Sequence, residues 1–212
     1  MLVKYSHSNK FGAIHFRFTK TSEKMVGMKP FYKIYPQGKI APSVKEDARE
    51  LAPYLRHGDI DELRYYSDIT PFEALTASYN NAKISLTLKD PHGNIVTMFG
   101  VGWTPNPRVG RIWLLSSNYI YKIGRPFLRS CPEILNHLFI GHDVVFNHVH
   151  DHNTVSIKWL QWLGFEATQK FPEVGKEKQP FTEFCLFKND TIRDLYLKRD
   201  WSTFLKSDEL KK

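Results

Sequence analysis

Asn153-Thr154-Val155-Ser156-Ile157-Lys158-Trp159-Leu160-Gln161-Trp162-Leu163-Gly164-Phe165 is the stretch on which the reading of this chain turns. It follows an apolar run, Val144-Val145-Phe146-Asn147-His148-Val149, with the character of a buried strand. Asn153 carries the side chain of a helix N-cap, which accepts a bond from an amide two or three residues on. Ile157, Leu160 and Leu163 recur at helical spacing and make an apolar stripe. Gly164 supplies the left-handed residue that ends such a helix and lets Phe165 enter the next strand. These residues predict a strand, a short loop, a capped helix and a second strand.

Working outward, Pro42-Ser43 precede a helical pattern from about Val44 to Arg56, with Val44, Ala48, Leu51 and Leu55 on one face. His57-Gly58-Asp59 is expected to end it, and Ile60 to Tyr66 to add a short helix. Thr70-Pro71 opens another helix through Asn81, with Pro71 at the favoured first position. Strands are expected at Ala82 to Leu88, Ile95 to Trp103 and Val109 to Ser117. The second of these is nearly continuous in apolar and small residues, as a buried central strand should be. Gly124-Arg125-Pro126 begins a helical stretch to about His142, with a break expected at Cys131-Pro132. Beyond the Asn153 helix come strands near Phe165 to Phe171 and Phe181 to Phe187.

Both the closing motif and this order of elements resemble the GNAT fold of acetyl-CoA-dependent N-acetyltransferases. That family's motif runs Asn, a small residue three on, Tyr seven on, and Gly-Phe at eleven and twelve. Here the places hold Asn153, Ser156, Leu160, Gly164 and Phe165. The family's tyrosine often protonates the departing thiolate, and Leu160 has no proton to give. The family also binds the cofactor pyrophosphate at the start of its central helix, through a loop of the form Gln/Arg-x-x-Gly-x-Gly/Ala. The matching stretch is Tyr121-Lys122-Ile123-Gly124-Arg125-Pro126, in which Gly124 fits the first glycine and Pro126 removes an amide donor. Lys122 and Arg125 can compensate by touching phosphate directly.

Family enzymes carry an acidic base on or near the central strands. Neither strand 95–103 nor strand 109–117 contains a carboxylate. Asp90, Glu73 and Asp143 stand at the edges, and spacing places none of them. Ser116, Ser117 and Asn118 at a strand end are able to orient a substrate or a water. His148, His150 and His152 alternate, with His142 and Asp143 nearby. Such imidazoles suit zinc or nickel, or the deprotonation of an amine. His148 follows a buried run and His152 precedes a helix cap, so no metal site is assigned. Cys131 and Cys185 have no nucleophile's partner and no close-spaced metal motif, and they suggest a reducing cytoplasm.

Phe99-Gly100-Val101-Gly102, Arg111-Ile112-Trp113-Leu114-Leu115-Ser116-Ser117, Phe127-Leu128-Arg129, Asn147-His148-Val149 and Ser156-Ile157-Lys158-Trp159-Leu160 together resemble the GNAT-like proteins of short-tailed bacteriophages. Those are often described as internal virion or morphogenesis proteins. The resemblance spans about residues 44 to 190 and implies a phage protein made in the host bacterial cytoplasm, with the virion as a second location.

The formal net charge of +8 is concentrated at one end. Residues 1–40 hold eight Lys or Arg against one acid, Glu23, interleaved with Tyr5, Phe11, Phe16, Phe18, Phe31, Tyr32 and Tyr35. Cations among stacking rings suit a nucleic-acid backbone. They equally suit an acidic protein, or a solvated extension. Ile14 to Phe18 alternates and can add an edge strand. At the other end Ile192, Leu195, Tyr196, Trp201, Phe204 and Leu205 recur at helical spacing, for packing on the domain or on a partner. At 42% apolar residues the chain has the content of a packed domain, and no stretch is apolar enough to span a membrane.

The expectation is therefore an α/β, GNAT-like fold: a mixed, mostly antiparallel central sheet flanked by helices. Residues 1–40 form a basic arm, 41–188 the domain and 189–212 a helical tail. The expected function is acetyl-CoA-dependent N-acylation of an amine on a protein or small molecule. Ser116, Asn118 and His150 are the catalytic candidates. Lys122, Gly124, Arg125, Asn153 and Ser156 are the candidates for cofactor binding. The alternative is a phage virion-assembly or host-interaction protein that keeps the fold without turnover.

Overall fold

Residues 30–199 are described by the structure, a computed structural model. The chain enters through a hairpin, β1 (Lys33–Tyr35) and β2 (Gly38–Pro42). β2 pairs antiparallel with β3 (Ala82–Lys89). Residues 33–40, at the end of the stretch expected to be an arm, thus lie in the sheet, and Ile40 is buried in the core. Ile14 to Phe18 and most of the basic residues lie outside the described residues.

Three helices separate β2 from β3. α1 (Lys45–Leu51) passes into a single 3-10 turn, and α2 (His57–Ser67) follows. His57-Gly58-Asp59 therefore starts a helix instead of ending one. The reason is local: Asp59, in the first turn, faces the positive end of the helix and receives the guanidinium of Arg56. α3 (Pro71–Asn80) begins at a capping box, with the Glu73 amide donating to Thr70 Oγ1 at 3.3 Å and the Thr70 amide to Glu73 Oε2 at 2.9 Å.

β4 (Ile95–Gly102) is buried at every residue but its last, and β5 (Val109–Ser116) lies beside it. α4 (Gly124–Leu138) then runs unbroken through Pro132. Proline in a helix interior costs about 3 kcal/mol. Here its ring lies on the exposed face, while Phe127, Cys131, Ile134 and Leu138 bury the opposite stripe. β6 (Val144–His150) extends through both His148 and His150. α5 (Thr154–Trp162) starts where Asn153 Oδ1 accepts the Ser156 amide at 3.2 Å, and Gly164 follows at φ +92°. β7 (Glu166–Val174) and β8 (Gln179–Phe187) close the sheet, and α6 (Asp190–Leu197) docks through Ile192 against Val144 and Cys185. Trp201, Phe204 and Leu205 lie outside the described residues.

The eight strands stand in the order β1-β2-β3-β4-β5-β6-β8-β7, antiparallel except between β5 and β6. This is the mixed, mostly antiparallel sheet expected from sequence. α1 and α3 pack on one face around Leu51, Leu75 and Met98. α4 and α5 pack on the other around Phe99, Ile134 and Leu160. Among the described residues no helix is long and apolar enough to cross a membrane.

One irregularity positions the site. β5 and β6 pair only at Val109↔Val144, Gly110↔Val145 and Arg111↔Phe146. Beyond those three registers the two parallel strands part, and their C-terminal halves frame a split in the middle of the sheet. Strand edges opened in this way expose backbone groups that need new partners.

Candidate active site

The split opens into a cleft holding about 670 Å³ of space between atoms, part of it open to solvent. Ile112 and Leu114 of β5 form one wall, and Asn147 and Val149 of β6 the other. Ile134 and Leu138 of α4, with Ser156, Trp159 and Leu160 of α5, form the floor. Two carboxylates of α2, Asp59 and Glu62, reach in from the opposite face of the sheet.

Those carboxylates satisfy the amides that the split leaves over. Asp59 Oδ2 accepts the Ser116 amide at the end of β5, at 2.9 Å. Glu62 Oε1 accepts the His150 amide at the end of β6, at 3.0 Å. Being three residues apart on α2, the two acids lie on one helical face and bridge both lips of the split.

Their electrostatics differ. Arg56 grips Asp59 with two hydrogen bonds, of 2.6 and 3.0 Å, in a bidentate pair that is almost fully buried. Burial pushes the Asp59 carboxyl up, against the pull of Arg56 and the Ser116 amide. Glu62 has no cation of its own. Burial pushes its carboxyl up to about 7, opposed by hydrogen bonds from Asn153 and the His150 amide. Both of those bonds fall on Oε1, so Oε2 has no protein partner among the described residues. A carboxylate with one engaged oxygen, one free oxygen and a midpoint near neutrality has the properties of a general base.

Of the sequence candidates, Ser156 alone lines this cleft. Leu160 lines it beside Ser156, standing where the resembled motif has tyrosine. Asn153 bridges α5 and α2, its Nδ2 donating to Glu62 Oε1 at 3.0 Å. Lys122, Gly124 and Arg125 sit at the start of α4, where the first turn presents amides without intrahelical partners. Arg125 and Lys122 are exposed there, and a Cβ on Gly124 would meet nothing within 4 Å.

Ser116 is fully buried and holds α2 through its backbone, with Oγ partnerless. Asn118 is exposed on the turn that precedes α4. Neither lines the cleft. His150 is buried, its Nε2 3.4 Å from Gln179 Oε1 and its ring centroid 5.0 Å from that of Tyr65. It serves the cleft through its amide. His148 shares that face, with Nδ1 2.8 Å from the Tyr66 hydroxyl and Nε2 3.3 Å from Glu183. No group of three His, Cys, Asp or Glu side chains among the described residues is arranged to hold a metal ion.

Glu62 is the residue that the sequence reading missed. A base is expected on or near the central strands, whereas the carboxylate arrives from a helix on the other face. The available signal was the polar set Asp59, Glu62 and Tyr66, at helical spacing on α2.

Neither a family model nor a curated protein matches the sequence. Solved structures do match the fold. A GNAT-family acetyltransferase from Bacillus anthracis is 12% identical, over 74% of this chain and 98% of its own, with a TM-score of 0.54. A ribosomal-protein-S5-alanine acetyltransferase from Vibrio fischeri is 14% identical, over 76% and 98%, with a TM-score of 0.55. A protein from Salmonella typhimurium described as an acetyltransferase, with its cofactor acetyl-CoA, is 17% identical over 72% and 94%, at 0.54. At these identities the likeness establishes the fold and leaves the chemistry to the residues.

Proposed function

We propose that this chain is an N-acyltransferase that takes its acyl group from acetyl-CoA, with Glu62 as the general base. The observation that carries the reading is the unengaged Oε2 of Glu62 at the mouth of the split. The cofactor site fits on the chain's own features. An apolar cleft runs between α4 and α5, and the exposed cations Lys122 and Arg125 stand at the α4 N-terminus. There the helix dipole and the first amides favour phosphate. Acetyl-CoA, when bound, supplies an acyl group already activated as a thioester.

The residues then have separable tasks. Lys122, Arg125 and the first turn of α4 hold the phosphates. The apolar walls exclude water, which strengthens every charge interaction inside. Glu62 Oε2 takes a proton from the amine as its nitrogen bonds to the acyl carbon and the carbon–sulfur bond breaks. Leu160 has no proton to give, so the leaving sulfur takes its proton from solvent at the open end of the cleft, and Glu62 returns the amine's proton to the same solvent. The acceptor is an amine able to enter from the α2 side of the sheet.

A second reading, a phage assembly or host-interaction module without turnover, rests on Leu160, on central strands without a carboxylate and on Pro126 in the phosphate loop. The half-buried and oriented Glu62 favours turnover over that reading. In both, the resemblance to short-tailed phage proteins supports a place of action in the bacterial cytoplasm.

Calorimetric titration of the full chain with acetyl-CoA, beside coenzyme A, tests the site. Micromolar affinity is expected. Absence of binding at millimolar ligand would remove the acyltransferase reading. With binding in hand, thiol release measured over a panel of amines identifies the acceptor class.

A further inference from the structure

We infer that Asn153 is a positioning residue for Glu62, its Oδ1 holding the cap of α5 while its Nδ2 holds the α2 carboxylate across the split. The inference rests on the reading of Glu62 as the base and adds what sets that base's orientation. Asn153 Oδ1 accepts the Ser156 amide at 3.2 Å, and Asn153 Nδ2 donates to Glu62 Oε1 at 3.0 Å. One amide group therefore joins the helices of both sheet faces. Its carbonyl end is fixed by the cap, so its NH₂ end has one direction left, and that direction meets Glu62. With the His150 amide on the same oxygen, Oε1 is held twice and Oε2 is turned out.

A residue that only capped a helix would be replaceable by any good cap. Asp and Ser cap about as well as Asn, but an ionised Asp has no donor, and the single O–H of Ser lies one bond nearer the backbone than the Asn153 nitrogen that reaches Glu62. The donor favours the charged form of Glu62, and its loss should drive the carboxyl upward. The other groups facing Glu62 are Asp59, which also raises it, Arg56, which lowers it, and the His150 backbone amide. All three remain in the variants.

The test is a carbon-13 NMR titration of glutamate-labelled full-length protein from about pH 5 to about pH 9, with the Glu62 carboxyl assigned by its loss in Glu62→Gln. In Asn153→Ser the Glu62 midpoint should lie above wild type, by roughly one pH unit. In Asn153→Asp it should lie higher still, because a like charge adds to the lost donor. The rising limb of any pH–rate profile should move with it. A midpoint unchanged in both variants would overturn the inference and leave Asn153 a simple cap. Should either variant fail to fold, wild type carries the test. The Asn153 side-chain amide resonances should shift with the Glu62 midpoint, and not in Glu62→Gln; resonances that ignore that midpoint also overturn the inference. Failure to bind acetyl-CoA would remove the acyltransferase reading alone, since the titration needs no cofactor.

Discussion

Glu62 and Asn153 are 91 positions apart in the chain and share a hydrogen bond of 3.0 Å through the split in the sheet. The bond exists because β5 and β6 part after three registers. A continuous sheet would keep α2 and α5 on opposite faces, out of reach of each other. The parted strands leave the Ser116 and His150 amides over, and two acids on α2 take them up. The same irregularity that makes room for a ligand thus brings a carboxylate to it.

Activity should depend on pH through Glu62. A base must be ionised, so kcat/KM is expected to rise with pH through about 7 and then level off. Glu62→Gln keeps an oxygen for both donors and removes only the basicity. It should lower kcat by about 10²–10⁴-fold and abolish the rising limb, with acetyl-CoA affinity unchanged. A variant with wild-type kcat would place the base elsewhere.

Stability should respond in the opposite sense. The Glu62 carboxyl lies at about 7 in the fold, above the ordinary 4.5 that it regains on unfolding. Its neutral form is favoured in the folded state, so its contribution is fully present below about pH 4.5. That contribution is lost as pH rises through about 7. The difference corresponds to at most about 3 kcal/mol above neutrality. Denaturant melts should therefore find Glu62→Gln more stable than wild type at about pH 8 and equal to it at about pH 4. Equal stability at both would mean that Glu62 ionises freely.

The fold was legible because its deciding unit is local. Asn153, the stripe of Ile157, Leu160 and Leu163, and Gly164 at positive φ each act within a few residues of themselves. Other features were hidden for physical reasons. Residues 33–35 make a strand too short to show alternation, and only pairing to β2 gives them a structure. Pro132 suggested a break because sequence does not show that its face of α4 is solvent. Glu62 was hidden as a base because the polar set Asp59, Glu62 and Tyr66 marks a face of α2 without showing what that face meets. Its chemistry comes from burial in the split, which raises its carboxyl, and from the His150 amide and Asn153 side chain, which hold one oxygen and leave the other.

Asp59 and Arg56 make a separable prediction about stability. Their side chains are 3% and 12% exposed, so neither charge is solvated without the other. Asp59→Asn should cost about 3–5 kcal/mol by leaving the guanidinium buried and uncompensated. The loss should appear as a lower urea midpoint with an unchanged slope. A loss below about 1 kcal/mol would mean that Arg56 finds solvent, as exposed pairs do.

Leu160 is 2% exposed and lines the cleft at the place of the resembled family's tyrosine. Leu160→Tyr returns a phenol to the cleft, at an overpacking cost of about 1–3 kcal/mol. If protonation of the leaving sulfur limits the rate, kcat should rise and then fall again as the phenol ionises near pH 10. An unchanged kcat in a folded variant would show that water already protonates the sulfur fast enough.

Gly124 tests the proposed phosphate site at the α4 N-terminus with little risk to the fold. A Cβ there meets nothing within 4 Å, and the backbone is helical, so a larger side chain has room. A glutamate in the first turn of a helix is favourable by about 0.3–1 kcal/mol, so the melting temperature of Gly124→Glu should hold or rise. The same carboxylate faces the phosphates that the α4 N-terminus is proposed to hold, beside Lys122 and Arg125. Acetyl-CoA affinity should fall at least about tenfold, and the loss should shrink as salt is added, because an exposed repulsion is screened. Gly124→Ala is the control and should bind as wild type does. Unchanged affinity in Gly124→Glu would move the phosphate site away from α4 while leaving Glu62 and the split as they stand.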